Sequence, residues 1–593
     1  MYHRDRRYVF SEVVLKKLLV YVKGYGKECV LSPLFKLLEA SFELLVPLVV
    51  ANIIDVGIKI ADKTYIVKMC LLMALLGAIG LSCTLVAQYF AAKASVGFAT
   101  QLRHGLFAHI ASLSHSEIDT LGTSTMITRM TSDMNQVQSG VNMTLRLLLR
   151  SPFIVFGAMI MAFTVDAHAA VVFAVTIPVL SVIVFGIMCA TIPLYKKVQG
   201  KLDKVLCTTR ENLTGARVIR AFCKESDEEK KFYGQTNELN AAQKFVGKIS
   251  AIMNPATYAV INIAISVLIW QGAIRVNYGA LSQGEVVALY NYMSQILIEL
   301  IKLANLIITI TKSVACAKRI SDVFEIKPSI NDPEASEESG QEAAADTEYA
   351  VEFNDVSLRY ASSKENSLDD ISFKVKPGET VGIIGGTGSG KTSVINLIGR
   401  FYDVCSGEVL VDGKDVRSYK LENLRKKIGL VPQKAALFKG TIRENMKWGN
   451  PDATDEEIKE AIDLAQATDV LKSKEGGLDC VIEQGGKNLS GGQRQRFTIA
   501  RALVRKPEIL ILDDSSSALD FATDAALRHA IAKINYHPTT FIVSQRTSSI
   551  MNADKIIVMD DGRAVGIGTH SDLLENCLVY SEIYNSQFKK EGV

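Results

Sequence analysis

Long apolar segments in the first half of the chain constrain its fold more than any other feature. A helix needs about 20 mostly apolar residues to cross the hydrocarbon core of a bilayer. Six stretches reach that length, at 29–54, 69–92, 147–165, 169–194, 249–274 and 286–310. We therefore expect an all-α membrane domain of six transmembrane helices over residues 1–325.

Basic residues lie unevenly on the two sides of these segments. They are dense in 1–27 and in 196–231, and sparse in the short connection near Asp166. The positive-inside rule therefore places both ends of the domain in the cytoplasm. The mixed charges of 1–27 argue against a signal peptide and indicate an amphipathic entry helix at the membrane surface. Arg146 and Arg150 are interpreted as anchors at headgroup level.

The second half of the chain has a different texture. Residues 326–349 are acidic and nearly free of large apolar side chains, which predicts a linker. From residue 350 onwards, short β-type runs alternate with helical patterns, and this rhythm predicts an α/β domain over 350–593. The net charge of +3 gives no case for nucleic acid as a partner. The ten cysteines are scattered and are expected to be reduced thiols.

The segment GGTGSGKT fits the phosphate-loop pattern GxxxxGK[ST] between a strand-type run and a helical run. In this motif, backbone amides surround phosphate oxygens, the lysine reaches the β- and γ-phosphates, and the final hydroxyl binds Mg²⁺. The start of the following helix adds positive potential. The predicted nucleotide-binding residues are Gly385, Gly386, Thr387, Gly388, Ser389, Gly390, Lys391 and Thr392.

A second glycine-rich helix start follows in NLSGGQRQRF, from Asn488. Ser490 and Gln493 have the spacing of a capping box, and the glycines between them leave backbone amides bare. With the phosphate loop, this string makes the chain resemble the ATP-binding cassette (ABC) transporters, as an exporter-type half-transporter. The resemblance covers essentially the whole chain. It implies an ATP-dependent translocase with ATP and Mg²⁺ as cofactors, whose signature motif is Ser490, Gly491, Gly492 and Gln493.

The resemblance also implies roles for four other positions. Tyr360 matches the aromatic residue that stacks on adenine, and Gln433 matches the glutamine that senses Mg²⁺ and water. Asp513 matches the Mg²⁺-associated aspartate that ends an apolar strand. Asp520 matches the loop that signals between the two cassettes. The fold class is therefore six transmembrane helices followed by an α/β P-loop cassette with a helical subdomain.

Two intracellular loops of the exporter family are matched as well. The segments 122–138 and 211–222 resemble these loops. In the family, the short coupling helices of these loops press on the cassettes. They are expected here near His115–Leu121 and 212–217.

Two positions depart from the family pattern, both at the hydrolytic centre. Asp514 stands where the pattern has a catalytic glutamate, so the carboxylate loses about 1.5 Å of reach. A misplacement of about 1 Å can cost roughly 100-fold in rate. Gln545 stands where the pattern has a histidine; its amide can donate a hydrogen bond but cannot carry imidazole protonation chemistry. The predicted catalytic residues are thus Asp514, Gln545 and Gln433, in a degenerate site.

This combination resembles the degenerate-site subunit of heterodimeric bacterial multidrug exporters. It implies a partner half with the usual glutamate and histidine, whose site is completed by this chain's signature motif. The chain's own site would hold ATP with slow or no turnover. Two alternatives stay open: a homodimer in which Asp514 supports hydrolysis, and a mainly regulatory ATP-binding half. A gated channel has no specific support. We expect export of small amphipathic compounds across the cell membrane, in contact with lipids.

Charged residues inside the first predicted helix allow two interpretations. Lys36, Glu39 and Glu43 share one helical face. Charges within a membrane are costly and usually face a cavity or one another. One interpretation is a cavity that prefers cationic amphiphiles, helped by Glu299. The other is an ion pair of Lys36 with Glu39 or Glu43 near the cytosolic end.

Overall fold

The computed structural model of the chain describes residue 18 and residues 20–333, 347–361 and 363–588. Most of the expected entry helix and most of the expected linker lie outside these residues. The chain forms two compact units by its internal contacts. The first consists of Met1–Ala111 and Ser124–Ile326, and the second of Ser112–Thr123 and Lys327–Val593.

The first unit is built from helices, and the prediction of six spans is confirmed. Within the described residues, six helical segments are long and apolar enough to cross a membrane: Val20–Ile58, Lys63–Ser112, Thr123–Val165, Ala167–Thr214, Glu225–Asn277 and Gln283–Phe324. The helices up to residue 324 are α1 (Gly26–Asn52), α2 (Lys63–Ser112), α3 (His115–Leu121), α4 (Thr123–Thr128), α5 (Met134–Leu147), α6 (Arg150–Val165), α7 (Ala167–Thr214), α8 (Ala216–Ala221), α9 (Glu225–Ala251), α10 (Met253–Asn277) and α11 (Gln283–Phe324).

Several of these helices are much longer than the bilayer is thick. Helix α2 has 50 residues and α7 has 48. At 1.5 Å per residue each is about 75 Å long, against a hydrocarbon core of about 30 Å. The polar segments that follow the second and fourth apolar stretches therefore begin as continuations of the spanning helices, on the cytoplasmic side.

Small side chains and shared hydrogen bonds bring the helices of the first unit together. Ala87 and Ala91 of α2 are fully buried, and the Ser32 hydroxyl donates to the Ala87 carbonyl at 3.0 Å. The buried Tyr292 of α11 donates its hydroxyl to the Leu44 carbonyl of α1 at 2.7 Å. Small residues allow close helix approach inside a membrane, where apolar burial gives little driving force between helices.

Of the two expected coupling helices, one lies where the sequence predicted it and the other does not. The first is confirmed as helix α3, which begins with a capping box between Ser114 and Glu117. The second was expected near 212–217; a short helix is present, but it begins only at Ala216, so the predicted bounds are wrong. Helix α7 continues to Thr214, and the short helix is α8, because the chain leaves helical geometry at Gly215. Inside a helix glycine is about 0.8–1.0 kcal/mol less favourable than alanine, so a break at this position costs little.

The second unit contains three sheets and a further set of helices. The strands are β1 (Val351–Leu358), β2 (Leu368–Val375), β3 (Thr380–Gly385), β4 (Ser406–Val411), β5 (Lys414–Asp415), β6 (Ile428–Val431), β7 (Gly440–Thr441), β8 (Val481–Ile482), β9 (Ile509–Asp513), β10 (Thr539–Val543), β11 (Lys555–Asp560) and β12 (Arg563–Gly568). The helices are α12 (Lys391–Ile398), α13 (Leu421–Lys427), α14 (Ile442–Lys447), α15 (Asp455–Leu464), α16 (Thr468–Lys472), α17 (Gly491–Val504), α18 (Phe521–Ala532), α19 (His570–Asn576) and α20 (Leu578–Gln587).

The larger sheet determines where the predicted site residues meet. Its strand order is β12-β11-β3-β10-β9-β6, and all neighbours except β11 and β12 pair in parallel. Strands β9 and β10 are buried at every position. Because parallel strands end at the same edge of a sheet, the segments after β3, β10, β9 and β6 lie side by side there. Ligands bind at this edge in open α/β sheets.

Candidate nucleotide-binding site

The phosphate loop leaves β3 and runs into α12, as the motif predicts. Two of its glycines are required by the backbone. A Cβ on Gly385 would lie 2.0 Å from the Met559 carbonyl oxygen of the neighbouring strand. Gly390 has φ +97°, a left-handed conformation that side chains other than glycine rarely adopt. The loop can therefore approach its neighbours closely and still turn its amides toward a ligand.

The lysine of the loop is held against the loop itself. The Lys391 ammonium group donates to the carbonyl oxygens of Gly385 and Gly386 at 3.0 and 2.6 Å. Burial lowers the pKa of Lys391, and the charges of Asp514 and Asp513 partly oppose that shift. The ammonium group thus lies near Asp513, the last residue of β9, and near Asp514, which follows it.

Thr392 and Asp513 form the pair expected of a magnesium site. The Thr392 hydroxyl lies 3.2 Å from each carboxylate oxygen of Asp513, which is buried. Burial raises the pKa of Asp513, and the nearby Asp514 charge adds to the shift. A hydroxyl and a carboxylate are hard oxygen ligands of the kind Mg²⁺ takes beside nucleotide phosphates. The donor set therefore fits the ion.

Asp514 lies next to Gln433, although the two are far apart in sequence. The Gln433 amide donates to the Asp514 carboxylate at 3.4 Å. The backbone N–H of Asp514 donates to the Val543 carbonyl, at the end of β10, at 2.9 Å. Asp514 has φ +44°, the left-handed region, which aspartate tolerates better than most residues do. The short carboxylate is thus attached to a constrained backbone.

Gln545 follows β10 by two residues, and a residue that the sequence did not single out holds its backbone. The Gln587 side chain, at the end of α20, donates to the Gln545 carbonyl at 2.7 Å. Its amide oxygen also accepts from the backbone and hydroxyl of Thr547, at 2.8 and 2.9 Å. No local pattern marks Gln587, because the contact spans 42 residues between separate elements.

Tyr360 lies at the other end of the phosphate loop. It lines a cavity of about 370 Å³ together with loop residues that include Gly388, Lys391 and Thr392. Its hydroxyl is 2.8 Å from that of Ser393, in the first turn of α12. Its ring also makes an edge-to-face contact with Tyr402. The position beside the loop is suitable for an aromatic side chain that stacks on a nucleotide base.

The signature motif has the predicted cap but does not join this cluster. Ser490 and Gln493 form a reciprocal capping box at the start of α17, so the prediction of that cap is confirmed. A Cβ on Gly492 would meet the Ala518 carbonyl at 2.9 Å. Asp520, two residues further on, is the N-cap residue of α18. Among the described residues, the phosphate-loop cavity is lined by none of the signature motif.

The charged residues of the membrane helices form an ion-pair network. Arg150 is buried and donates to Glu299 at 2.6 Å and to Glu43 at 2.7 Å. The interpretation of Arg150 as a headgroup anchor is therefore wrong, since carboxylates on α1 and α11 stabilise it within the helix bundle. Lys36 pairs with Glu39, which agrees with the ion-pair interpretation.

Glu299 also accepts from two other side chains. The Ser151 hydroxyl donates to it at 2.8 Å, and Lys302 donates at 2.8 Å. Glu43 and Glu299 both bind the Arg150 guanidinium in this structure. The interpretation in which they face a cavity for cationic substrates thus loses its main support.

Comparisons with known proteins agree with this architecture. Residues 29–300 match the family model "ABC transporter transmembrane region", and residues 368–517 match the model "ABC transporter". The chain is 36% identical to the uncharacterized ABC transporter ATP-binding protein YfiB of Bacillus subtilis, over 98% of this chain and 99% of that protein.

A second relative and a solved structure extend the comparison. The chain is 34% identical to YgaD of Bacillus subtilis, whose name provisionally assigns multidrug export, over 97% of this chain and 98% of that protein. The structure of a bacterial Atm1-family ABC exporter with ATP bound shares the fold, with a TM-score of 0.77 and 22% identity over 96% of this chain and 99% of that one. The chain therefore belongs to the ABC transporter family, as an exporter half-transporter that fuses a multi-pass membrane region to a cytoplasmic ATP-binding domain.

Proposed function

We propose that this chain is the slow half of a heterodimeric ABC exporter that moves lipophilic or amphipathic compounds out of the cytoplasm. Its own phosphate loop retains ATP, and its signature motif completes the hydrolysing site of a partner half. The observation that carries the proposal is the hydrogen bond between Gln433 and Asp514. It lies beside a phosphate loop that has its lysine, Lys391, ordered against the loop backbone. The site is built to bind ATP but lacks the usual catalytic side chains.

The binding half of this proposal rests on the residues around the phosphate loop. Lys391 would contact the β- and γ-phosphates, and Tyr360 would stack on the base. Thr392 and Asp513 would hold Mg²⁺, which neutralises phosphate charge when bound. Gln433 would lie within reach of the same ion through its amide, which also contacts Asp514.

The proposed slow hydrolysis rests on the length of the Asp514 side chain. Asp514 is one methylene shorter than glutamate, and its left-handed backbone limits how far the side chain can be redirected. An attacking water must be held in line with the γ-phosphate, and a shift of about 1 Å can cost roughly 100-fold. Gln545 cannot supply an imidazole in compensation. Slow turnover at this site is the expected consequence.

The need for a second subunit follows from the separation of the two motifs. The signature motif at the start of α17 does not line the cavity of the chain's own phosphate loop in the described part of the chain. Exporters of this family work as dimers, so each motif is available to another half. The alternative is a homodimer, in which both composite sites would contain Asp514 and Gln545.

The proposed substrate class rests on the name of a relative and on the charges of the membrane helices. The relative YgaD is named for multidrug export. The charges of the ion-pair network compensate one another, with Lys36, Arg150 and Lys302 against Glu39, Glu43 and Glu299. With these charges paired, apolar contacts are left to select the compound, which favours amphipathic molecules over strongly charged ones.

The ATPase rate of the purified full-length chain in lipid nanodiscs tests the proposal. We compare wild type, Asp514→Glu, Gln545→His and the double variant, with Lys391→Ala as the background control. We expect wild type and both single variants to remain slow. The double variant should gain rate, up to roughly 100-fold. Full rescue by Asp514→Glu alone, or a wild-type rate equal to that of the double variant, would support the homodimer instead.

A further inference from the structure

One side chain at the end of α20 holds the segment after β10 at three points. The Gln587 amide nitrogen donates to the Gln545 carbonyl at 2.7 Å. The Gln587 amide oxygen accepts from the backbone N–H and from the hydroxyl of Thr547, at 2.8 and 2.9 Å. Thr547 is fully buried, whereas Gln545 and Gln587 are exposed. Both polar atoms of a long side chain at the surface are therefore committed to the residues on either side of Arg546.

Helix α20 is a fixed support for Gln587. Its Tyr580 is fully buried, and the Tyr580 hydroxyl lies 2.7 Å from Nδ1 of His570 on α19. Tyr580 belongs to the same apolar cluster as Ile550, which follows the Gln545 segment. The helix also contacts β3, β11 and the helical turn at 547–549. The three bonds of Gln587 are thus made from an element packed against the larger sheet, which keeps their direction constant.

The residues next to Gln545 are held from other directions. The Ser544 N–H donates to a carbonyl of β3 at 3.1 Å. The Arg546 guanidinium lies over the Phe521 ring at the start of α18, 4.9 Å from its centroid. Between these two contacts, Gln587 holds the Gln545 carbonyl. A rotation of the Gln545 peptide would break that bond, so the bond restricts the direction in which the Gln545 side chain leaves the backbone.

We propose that Gln587 is a positioning residue for Gln545, and that its bond to the Gln545 carbonyl aims the Gln545 amide at the γ-phosphate of ATP. The inference rests on the proposed function, in which this chain's own site retains ATP. Strand β10, which leads to Gln545, lies between β3, which enters the phosphate loop, and β9, which ends at Asp513. ADP has no γ-phosphate and gains nothing from Gln545. Gln587 therefore adds to the preference of the slow site for ATP over ADP.

The test compares two ligands that differ in the γ-phosphate. Binding of MgATP and of MgADP is measured on the full-length chain in nanodiscs. Gln587→Met keeps the length of the side chain but can form none of the three bonds. It should weaken MgATP binding by about 2- to 10-fold, the range of one hydrogen bond, and leave MgADP binding unchanged. Asn585→Leu is the matched control, because the Asn585 amide donates to Ser581 of its own helix, and it should change neither ligand.

A double-mutant cycle tests whether Gln587 acts through Gln545. Gln545→Ala should weaken MgATP at least as much as Gln587→Met does, because it removes the donor itself. In the Gln545→Ala background, Gln587→Met should cause no further loss, since the side chain that it positions is already absent. A further loss of MgATP binding in that background would overturn the inference.

Other outcomes separate failure of this inference from failure of the proposed function. An equal loss of MgATP and MgADP binding in Gln587→Met would indicate general disruption and overturn the positioning role. If Gln545→Ala weakens MgATP while Gln587→Met does not, the positioning role fails although Gln545 still recognises ATP. If Gln545→Ala leaves MgATP binding unchanged, Gln545 does not contact the γ-phosphate and the inference fails with it. Rapid hydrolysis of MgATP by the wild-type chain contradicts the slow site itself, whatever Gln587→Met does.

Discussion

Asp514 carries two constraints at once, a short side chain and a left-handed backbone. At φ +44° a residue other than glycine is uncommon, and aspartate and asparagine are enriched there. A glutamate placed at this position gains reach but loses part of that local compatibility. Residue type and backbone conformation therefore agree with each other at this position.

His115 of α3 packs its ring against Phe401, with centroids 4.9 Å apart, and allows a test of α3 docking through pH. Burial lowers the pKa of this imidazole, Arg425 lowers it further, and Asp119 partly opposes them. An undocked histidine has a pKa near 6.5. Above this pH, His115 is neutral whether or not α3 is docked, and the docked state has its full stability. As pH falls below it, the undocked state binds a proton first, and docking is weakened.

We expect hydrogen exchange of α3 to show this loss. Exchange in 115–121 is measured for wild type and for His115→Phe at pH 7.5 and at pH 5.5. The phenylalanine keeps a ring against Phe401 but does not titrate. Relative to His115→Phe at the same pH, wild type should lose protection only at the lower pH. An equal response of both proteins would exclude His115 as the titrating group.

At the scale of elements, the ion-pair network joins α1, α6 and α11. Arg150 is on α6, Glu43 on α1 and Glu299 on α11. Arg150 and Glu299 are both nearly inaccessible, at 7% and 3% exposure. A buried ion pair adds little net stability, because the cost of desolvating both charges offsets their attraction. Removal of one member is costly, because the other charge then stays buried without that partner.

Arg150→Met should therefore destabilise the membrane unit strongly. The expected cost is up to about 3–5 kcal/mol, because Glu299 stays buried and keeps only its contacts with Lys302 and Ser151. Glu43→Gln should cost less, since the Glu43 side chain is 39% exposed. Arg150→Met with Glu299→Gln should recover part of the loss. Thermal unfolding in detergent measures all three, and an unchanged midpoint for Arg150→Met would contradict the importance of the pair.

The sequence predicted elements far better than contacts between elements. The short β-type runs expected from residue 350 onwards did form strands, among them β1, β3, β9, β10 and β11, because their apolar pattern is local. The partners of Arg150 were not predicted, since they lie on helices separated by more than 100 residues. Gln587 and Tyr402 were missed for the same reason. Periodicity reports which face a residue is on, but not which distant residue meets it.

At the scale of the whole molecule, the chain leaves surface for another subunit or for lipid. In the helical segment Lys63–Ser112, only 6% of the most apolar 18-residue stretch is buried. The signature motif also lies apart from the chain's own phosphate loop. Both features are expected of half of a dimer, and they leave open whether the second half is identical.

Two variants of this chain distinguish the heterodimer from the homodimer. The complex is first isolated from native membranes, and the proteins recovered in a 1:1 ratio are identified by mass spectrometry. In a heterodimer, Ser490→Arg in this chain blocks the signature motif that completes the partner's hydrolysing site. Lys391→Ala blocks only the slow site. We therefore expect Ser490→Arg to abolish ATPase activity and Lys391→Ala to leave most of it.

In a homodimer the two variants should have equal effects. Every ATP site would contain the substituted phosphate loop or the substituted signature motif, so either substitution would stop turnover. MgATP binding provides the control for folding. Ser490→Arg should retain binding at this chain's phosphate loop, whereas Lys391→Ala should lose it there. Equal loss of ATPase activity in both variants, with binding retained in Ser490→Arg, would assign hydrolysis to Asp514 and Gln545 themselves. An asymmetric result would assign it to the partner's site, with this chain supplying the signature motif.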